Sequence, residues 1–476
     1  MEPTFKMVAK TLKGLEATLA DELRHLGAAN VEPGRRMVSF EGDLEMMYRA
    51  NLCLRTALRI LKPVYTFRAD DTDQLYDRLK EFDWGSLMTA DNTFAVDVVM
   101  NSDSFSHSRF ATYRVKDAIV DWFRDRFDKR PNVRIDGADF IFNLHIQGSE
   151  VTLSLDSSGE SLHKRGWRVA STEAPINEVL AAGILLMSGY DGSQPLVDPM
   201  CGSGTFLVEG ALIAANINPG VFRMNYAFRN WPDYDEDLFY ELWNNDSAER
   251  TPTNIIMGAD MLRAAVDATR RNLKAAGVDK FVSVEVRNFA DWTEAPAPSG
   301  IMVMNPPYGE RIGSTDMESL YALIGTQLKK LFAGWSAWII SLKDRYFANV
   351  GLAPSRKVAL LNGSLECELR EYVLFAGNKR DFRASGGRLK EERKAPAKGA
   401  TAAKKTFAKK PGAKPVAERK KAGFVPKADP VETPSENPLA ARRNAAALKS
   451  LVNREPSLPK TDGPIMRQRG WKKKQS

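Results

Sequence analysis

The chain has 476 residues, 43% of them hydrophobic and 27% charged, too long for one ordinary domain and apolar enough for more than one core. Three scattered cysteines (Cys53, Cys201, Cys367) and four histidines exclude a disulfide framework and a zinc cluster, and no apolar stretch approaches the roughly 20 residues that span a bilayer. The net charge of +8 is uneven: residues 381–476 hold 25 Lys and Arg against 9 Asp and Glu, a net of +16, and the other 380 residues hold 43 against 51, a net of −8. That asymmetry points to a nucleic-acid partner, and the composition to a soluble cytoplasmic protein with no membrane partner and no metal.

In chain order, Leu15, Leu19, Leu23 and Leu26 share one helical face that Gly27 ends. Residues 31–40 and 93–100 carry the β-branched and aromatic residues of strands. A helix over 112–127 turns Val115, Ile119, Trp122 and Phe123 inward and leaves Arg114, Lys116, Arg124 and Arg126 largely outward. Strands at 140–146 and 151–155 follow, joined by the hairpin signal Gln147-Gly148-Ser149-Glu150. This first region, 1–160, has an α+β pattern.

From about Ala174 apolar strands alternate with helices. Strands at 196–197, 255–257, 301–304 and 337–342 each end at a polar or Gly-rich turn, the pattern of a parallel, doubly wound sheet over 161–378. Ligands of such sheets bind beyond the carboxyl ends of the strands. The aromatic-rich insertion 218–246 reads equally as a lid or as a packing element. After 378, Ala, Lys and Pro dominate; a segment 379–476 of this composition cannot offset chain entropy, and a disordered basic tail is expected, either a solvated spacer or an RNA attractor.

Three of those turns carry chemistry. Leu196-Val-Asp198-Pro-Met-Cys201-Gly202-Ser-Gly204-Thr205 is a strand, a Gly-rich turn and a helix start, where the backbone can approach a ligand and free amides can meet a carboxylate. It lacks the lysine of a phosphate-binding loop. Asp198 suits an ammonium or hydroxyl partner. Asp260, closing the next strand, suits two ribose hydroxyls, or serves merely as a helix cap. Asn305-Pro306-Pro307-Tyr308, directly after a strand, forms a rigid clamp for a planar amine: Asn305 Oδ1 and the Pro306 carbonyl accept its two hydrogens, and Tyr308 stacks on its ring.

This constellation resembles the S-adenosylmethionine-dependent amino-methyltransferases. The run Leu155-Asp-Ser-Ser-Gly-Glu-Ser-Leu-His-Lys-Arg-Gly-Trp-Arg168 with Ala174-Pro-Ile-Asn177 looks like the joint between a THUMP domain and its methyltransferase. Together with Arg114-Val-Lys-Asp-Ala-Ile-Val120 and Leu361-Asn-Gly-Ser-Leu-Glu-Cys367, it is similar to the 23S rRNA guanine-N2 methyltransferases of the RlmL type over about 1–378. The resemblance implies a Rossmann-like class I methyltransferase domain preceded by a ferredoxin-like and THUMP RNA-binding region. It implies S-adenosyl-L-methionine as cofactor, held by Asp198, Gly202, Gly204 and the neighbouring Cys201 (a small filler) and Thr205. Asp260 would take the ribose, and Asp291 or Asn288 the adenine. Asn305, Pro306, Pro307 and Tyr308 would be catalytic. The partner would be 23S rRNA before full subunit assembly. Large bacterial members can carry a second catalytic domain where this chain has its basic tail, and that second activity is expected to be missing. Two competing readings are guanine-N2 methylation of tRNA and a non-catalytic RNA-binding assembly factor.

Overall fold

The computed structural model describes residues 3–102, 105, 107–307, 314–342, 346–375 and 377. Its first eight strands and four helices form one unit. Strand β1 (Phe5–Lys10) alternates, turning Met7 and Ala9 inward. Helix α1 (Glu16–Leu26) buries Leu19, Ala20 and Leu23 and stops where Gly27 turns left-handed at φ 95°. The stretch expected as one strand over 31–40 is a hairpin, β2 (Ala29–Gly34) and β3 (Met37–Gly42). Pro33-Gly34 and a left-handed Arg36 (φ 57°) reverse the chain there, a turn that β-propensity does not reveal.

Helix α2 (Leu44–Cys53) is capped by Asp43, which accepts from the Met46 amide. There follow β4 (Arg59–Arg68), α3 (Thr72–Glu81), β5 (Thr93–Asn101), α4 (Ser108–Phe127), β6 (Asn132–Val133), β7 (Phe140–Gln147) and β8 (Glu150–Asp156). The helix expected over 112–127 starts four residues earlier and buries Val115, Ile119, Trp122 and Phe123 as its spacing requires. The strands form one sheet, β2-β3-β1-β4-β8-β7-β5-β6, in which β4 pairs antiparallel with both β1 and β8 and so joins its two halves.

The second sheet is built from β9 (Leu196–Asp198), β10 (Ile256–Asp260), β11 (Ser283–Val286), β12 (Gly300–Met304), β13 (Trp335–Leu342), β14 (Arg356–Asn362) and β15 (Leu365–Val373). Its helices are α5 (Glu178–Met187), α6 (Thr205–Ala214), α8 (Arg263–Ala275) and α9 (Ser314–Leu331), whereas α7 (Glu236–Asn244), in the same stretch of chain, packs on the first sheet. The order β11-β10-β9-β12-β13-β15-β14 is parallel through β13, the Rossmann-like pattern, but β15 and β14 run antiparallel. The Gly363 turn (φ 62°) folds β15 straight back on β14, so the sheet is mixed rather than wholly parallel. The chain runs outward from β9 to β11 and returns to β12 on the other side. That reversal opens a crevice between β9 and β12.

The insertion resolves as a packing element. Phe228, Trp231, Phe239 and Trp243 are buried in the core of the first sheet, with the Phe228 ring 4.6 Å from that of Tyr48. A buried polar seam ties the halves further: Arg165 Nε lies 3.3 Å from Glu209 Oε1, Arg165 Nη2 donates to the Arg55 carbonyl at 2.6 Å, and Arg55 Nη2 to that of Ile217 at 2.8 Å. Among the described residues no helix is long and apolar enough to cross a membrane. The basic segment 379–476, expected to be disordered, lies outside the described residues.

Candidate functional site

The parallel registers set the carboxyl ends of β10, β9 and β12 side by side: Gly258 pairs with Asp198, Val197 with Met302. Asp198, the last residue of β9, is 1% exposed, and its Oδ1 accepts from the Met200 amide at 3.2 Å. Burial pushes its carboxyl well above the usual range, and the Asp260 charge pushes the same way. A carboxylate so placed is stabilised by a cationic guest.

The turn after Asp198 is anchored through its backbone to β10 and α8. The Cys201 amide donates to Ala259 O at 2.9 Å, and Thr269 Oγ1 donates to Gly202 O at 2.8 Å. Gly202 and Gly204 both have positive φ, 54° and 80°, but for different reasons. A Cβ on Gly204 would lie 2.6 Å from Thr269 Cγ2, so close helix packing demands glycine there. A Cβ on Gly202 would have only Thr172 Oγ1 near it, at 3.6 Å, so this glycine borders open space where a ligand can lie against the backbone. Cys201 is buried, its thiol pushed up first by burial and then by Asp198, and its Sγ lies 3.7 Å from Thr269 Oγ1. It is a neutral filler. Thr205 opens α6 and accepts from Arg168 Nη2 at 2.9 Å.

Asp260 accepts from two backbone amides, Gly202 N on Oδ2 and Leu262 N on Oδ1, both at 2.9 Å. It therefore ties the ends of β9 and β10 together, and each oxygen keeps a second lone pair for a hydroxyl donor. Past β11, whose Val286 pairs with Asp260, Asn288 Oδ1 accepts from the Ala290 amide at 3.0 Å, whereas Asp291 is exposed with no ion pair among the described residues.

Asn305 follows β12 directly, and its Oδ1 is buried with no hydrogen-bond partner among the described residues. The next two residues explain this. An Asn oxygen is ordinarily satisfied by a backbone amide one or two positions on, and Pro306 and Pro307 have no N–H to give. The prolines thus leave an acceptor open. Pro306 is buried and Pro307 exposed; Tyr308 lies outside the described residues.

Sequence reasoning missed three positioning residues. Arg168 donates to Glu178 Oε1 at 2.6 Å, Ser203 Oγ at 3.0 Å and Thr205 Oγ1 at 2.9 Å, clamping the joining segment onto the Gly-rich turn. Asn272, fully buried on α8, accepts from the Val169 and Ala170 amides and donates to the Ala170 and Ser203 carbonyls. Its signal was readable, a polar amide three residues after Thr269 on the apolar face. Gln327 Nε2 donates to the Phe289 and Ala290 carbonyls at 2.8 and 2.9 Å, holding the loop after β11. Among the described residues no cluster of three or more His, Cys, Asp or Glu side chains could hold a metal ion.

Residues 6–61 match the RlmL ferredoxin-like domain, 69–156 the THUMP domain and 165–371 the RMKL-like methyltransferase domain. The chain is 41% identical to the ribosomal RNA large subunit methyltransferase K/L of Syntrophotalea carbinolica, over 78% of this chain and 54% of that protein. It therefore spans about half the length of that relative. It is 38% identical to slr0064 of Synechocystis, whose name assigns it provisionally to RNA methylation, over 78% of this chain and 97% of that one. Among solved structures, SMU.472, a provisionally assigned methyltransferase complexed with S-adenosylhomocysteine, superposes with a TM-score of 0.70 at 30% identity, covering 79% of this chain and all of that one. On these matches and this site, the chain belongs to the THUMP-bearing, RMKL-like methyltransferases, enzymes that take their methyl group from S-adenosyl-L-methionine.

Proposed function

We propose that the protein transfers a methyl group from S-adenosyl-L-methionine to the exocyclic N2 amine of a guanine in 23S ribosomal RNA, in the cytoplasm and before the subunit is fully assembled. The observation that carries the reading is the buried Oδ1 of Asn305 at the end of β12, unpartnered among the described residues and next to two residues that have no amide hydrogen. An acceptor left open at such cost, about 1–3 kcal/mol, is suited to an N–H donor brought by the substrate. The ribosomal substrate is supported by the name of the Syntrophotalea relative.

The residues present fit the cofactor. Asp198 would meet its ammonium, Gly202 and Gly204 would pass backbone against its amino-acid end beside Thr205, with Cys201 filling behind, Asp260 would take the ribose hydroxyls, and Asp291 or Asn288 the adenine amine. When bound, S-adenosylmethionine supplies an electrophilic methyl on its sulfonium. The chain's own work is alignment. The guanine N2 lone pair is delocalised into the ring; accepting its two hydrogens on Asn305 Oδ1 and the Pro306 carbonyl favours a pyramidal nitrogen with an available lone pair. Pro306 and Pro307 fix the backbone, and Tyr308 stacks on the base. Such positioning is worth about 7–11 kcal/mol. A paired or stacked guanine must first be turned out, at a cost of roughly a few kcal/mol.

The test is transfer of labelled methyl to unmodified 23S rRNA and to unmodified tRNA, followed by nucleoside digestion and mass spectrometry. N2-methylguanosine in 23S rRNA alone is expected. Label on adenine, on tRNA only, or on neither RNA despite cofactor binding overturns the proposal.

A further inference from the structure

A large groove lies away from the strand ends. It encloses about 1030 Å³ between the edge of the first sheet, at β5 and β6, and the insertion that precedes α7. That is at the upper end of small-ligand pockets, about 300–1,000 Å³, and leaves room for a short chain segment. It is lined by Lys116 from α4 and Arg134 from just beyond β6, by Arg229 and Asn230 from the insertion, and by Lys164 from the joining segment.

The cations divide into two kinds. Lys164 pairs with Glu160 at 2.5 Å, and Arg229 lies 3.9 Å from Glu236. Lys116 and Arg134 have no ion-pair partner among the described residues, although Asp97 and Asp136 line the same groove. Arg134 is held in place by its backbone, whose amide donates to Phe94 O at 2.9 Å.

A path leads into this groove along α4. Arg109, Tyr113 and Lys116 stand at helical spacings of four and three, on one face. Tyr113 is 48% exposed, with the Arg109 guanidinium 5.9 Å from its ring centre. At the far end Ile135 is 84% exposed beside Arg134. An aromatic ring and an aliphatic side chain alternating with unpaired cations match unstacked bases and a phosphate backbone. The interspersed acids disfavour a duplex, which would bring a dense row of phosphates, whereas a splayed strand meets few.

We infer that this groove, entered along Arg109, Tyr113 and Lys116 and closed by Arg134, holds an unpaired RNA segment flanking the target base. The inference rests on the proposed RNA substrate, and it assigns to the junction between first sheet and insertion the task of gripping the strand that the clamp acts on.

The test uses the full chain and two fluorescent probes, a single-stranded RNA oligonucleotide and an RNA duplex of the same length, titrated at several salt concentrations. The intact protein is expected to prefer the single strand. In the doubly substituted Lys116→Glu/Arg134→Glu protein, affinity falls and the slope of log K against log salt shrinks by about 1.4, the value for two lost phosphate contacts on a single strand. Lys116→Gln/Arg134→Gln, milder to the fold, is expected to show the same loss of slope. Tyr113→Ala should weaken binding about five- to 150-fold with little change in slope. Unchanged affinity and slope in both double variants, or equal preference for duplex, overturns the inference. Methyl transfer by the intact protein is measured in parallel, so that a wrong groove and a wrong substrate give different results.

Discussion

The amide of Gly202 donates to Oδ2 of Asp260 at 2.9 Å, across the gap between the first two strands of the second sheet. The side chain proposed to hold a ribose is therefore also the tie that shapes the turn proposed to hold the amino-acid end. Asp260→Ala should lower affinity for S-adenosylhomocysteine at least tenfold, by about 1.4 kcal/mol or more. Asp260→Asn should not restore it, because an amide NH₂ would face one of the two backbone donors. Calorimetric titration showing full affinity in Asp260→Asn would remove the ribose role.

Asp198 is held in a site that resists its ionisation. A carboxyl whose folded pKa is raised contributes stability that is present at low pH and lost as pH rises through that pKa. Asp198→Asn should therefore melt higher than the parent near neutral pH, and the difference should vanish on acidification. The same variant should bind S-adenosylhomocysteine at least tenfold more weakly. In the parent, affinity should rise with pH and level off above the Asp198 pKa, with proton release on binding below it. Melting curves and calorimetry in two buffers check both signs.

Asn305→Ala removes an acceptor that has no partner among the described residues. It should leave S-adenosylhomocysteine affinity within about twofold, leave the melting temperature unchanged or slightly raised, and cut methyl transfer about 100-fold or more. A folded variant that lost cofactor binding in step with turnover would show that the clamp assignment is wrong.

The two turn glycines should separate in their effects. Gly204→Ala drives a Cβ to 2.6 Å from Thr269 Cγ2 and should cost about 1–3 kcal/mol of stability. Gly202→Ala meets only Thr172 Oγ1, at 3.6 Å, and should cost about 1–2 kcal/mol for its positive φ while abolishing tight cofactor binding. Measuring unfolding and cofactor affinity side by side distinguishes them; equal behaviour would mean that Gly202 is only a turn residue.

Glu209 on α6 and Arg165 in the joining segment form a nearly fully buried ion pair. Glu209→Ala leaves the guanidinium without its counter-charge and should destabilise the protein by about 3–5 kcal/mol, seen as a large drop in the denaturation midpoint.

Much of this was legible because the signals are local. The periodicity of Val115, Ile119, Trp122 and Phe123 placed α4, and apolar runs ending in Asp198, Asp260 and Asn305 placed the strand ends. What stayed hidden depends on partners far away in the chain. Nothing local says that Asn272 would cross-link the joining segment to Ser203, or that β15 would return antiparallel. Nor could the aromatic insertion be assigned, because its rings complete a core made by residues near Tyr48. The open oxygen of Asn305 was implicit in two prolines, yet its meaning emerges only once burial removes water as an alternative partner.

That shared core has a consequence for biosynthesis. All eight strands of the first sheet have been translated by Asp156, yet Phe228, Trp231, Phe239 and Trp243, which fill its interior, are still to come. The Asp235 amide that donates to the Tyr48 hydroxyl is 187 residues downstream of it. A nascent chain paused before the insertion would therefore expose an unfilled apolar face, and closing so long a loop is intrinsically slow. The amino-terminal sheet should need a chaperone, or the rest of its own chain, before it leaves the aggregation-prone stage.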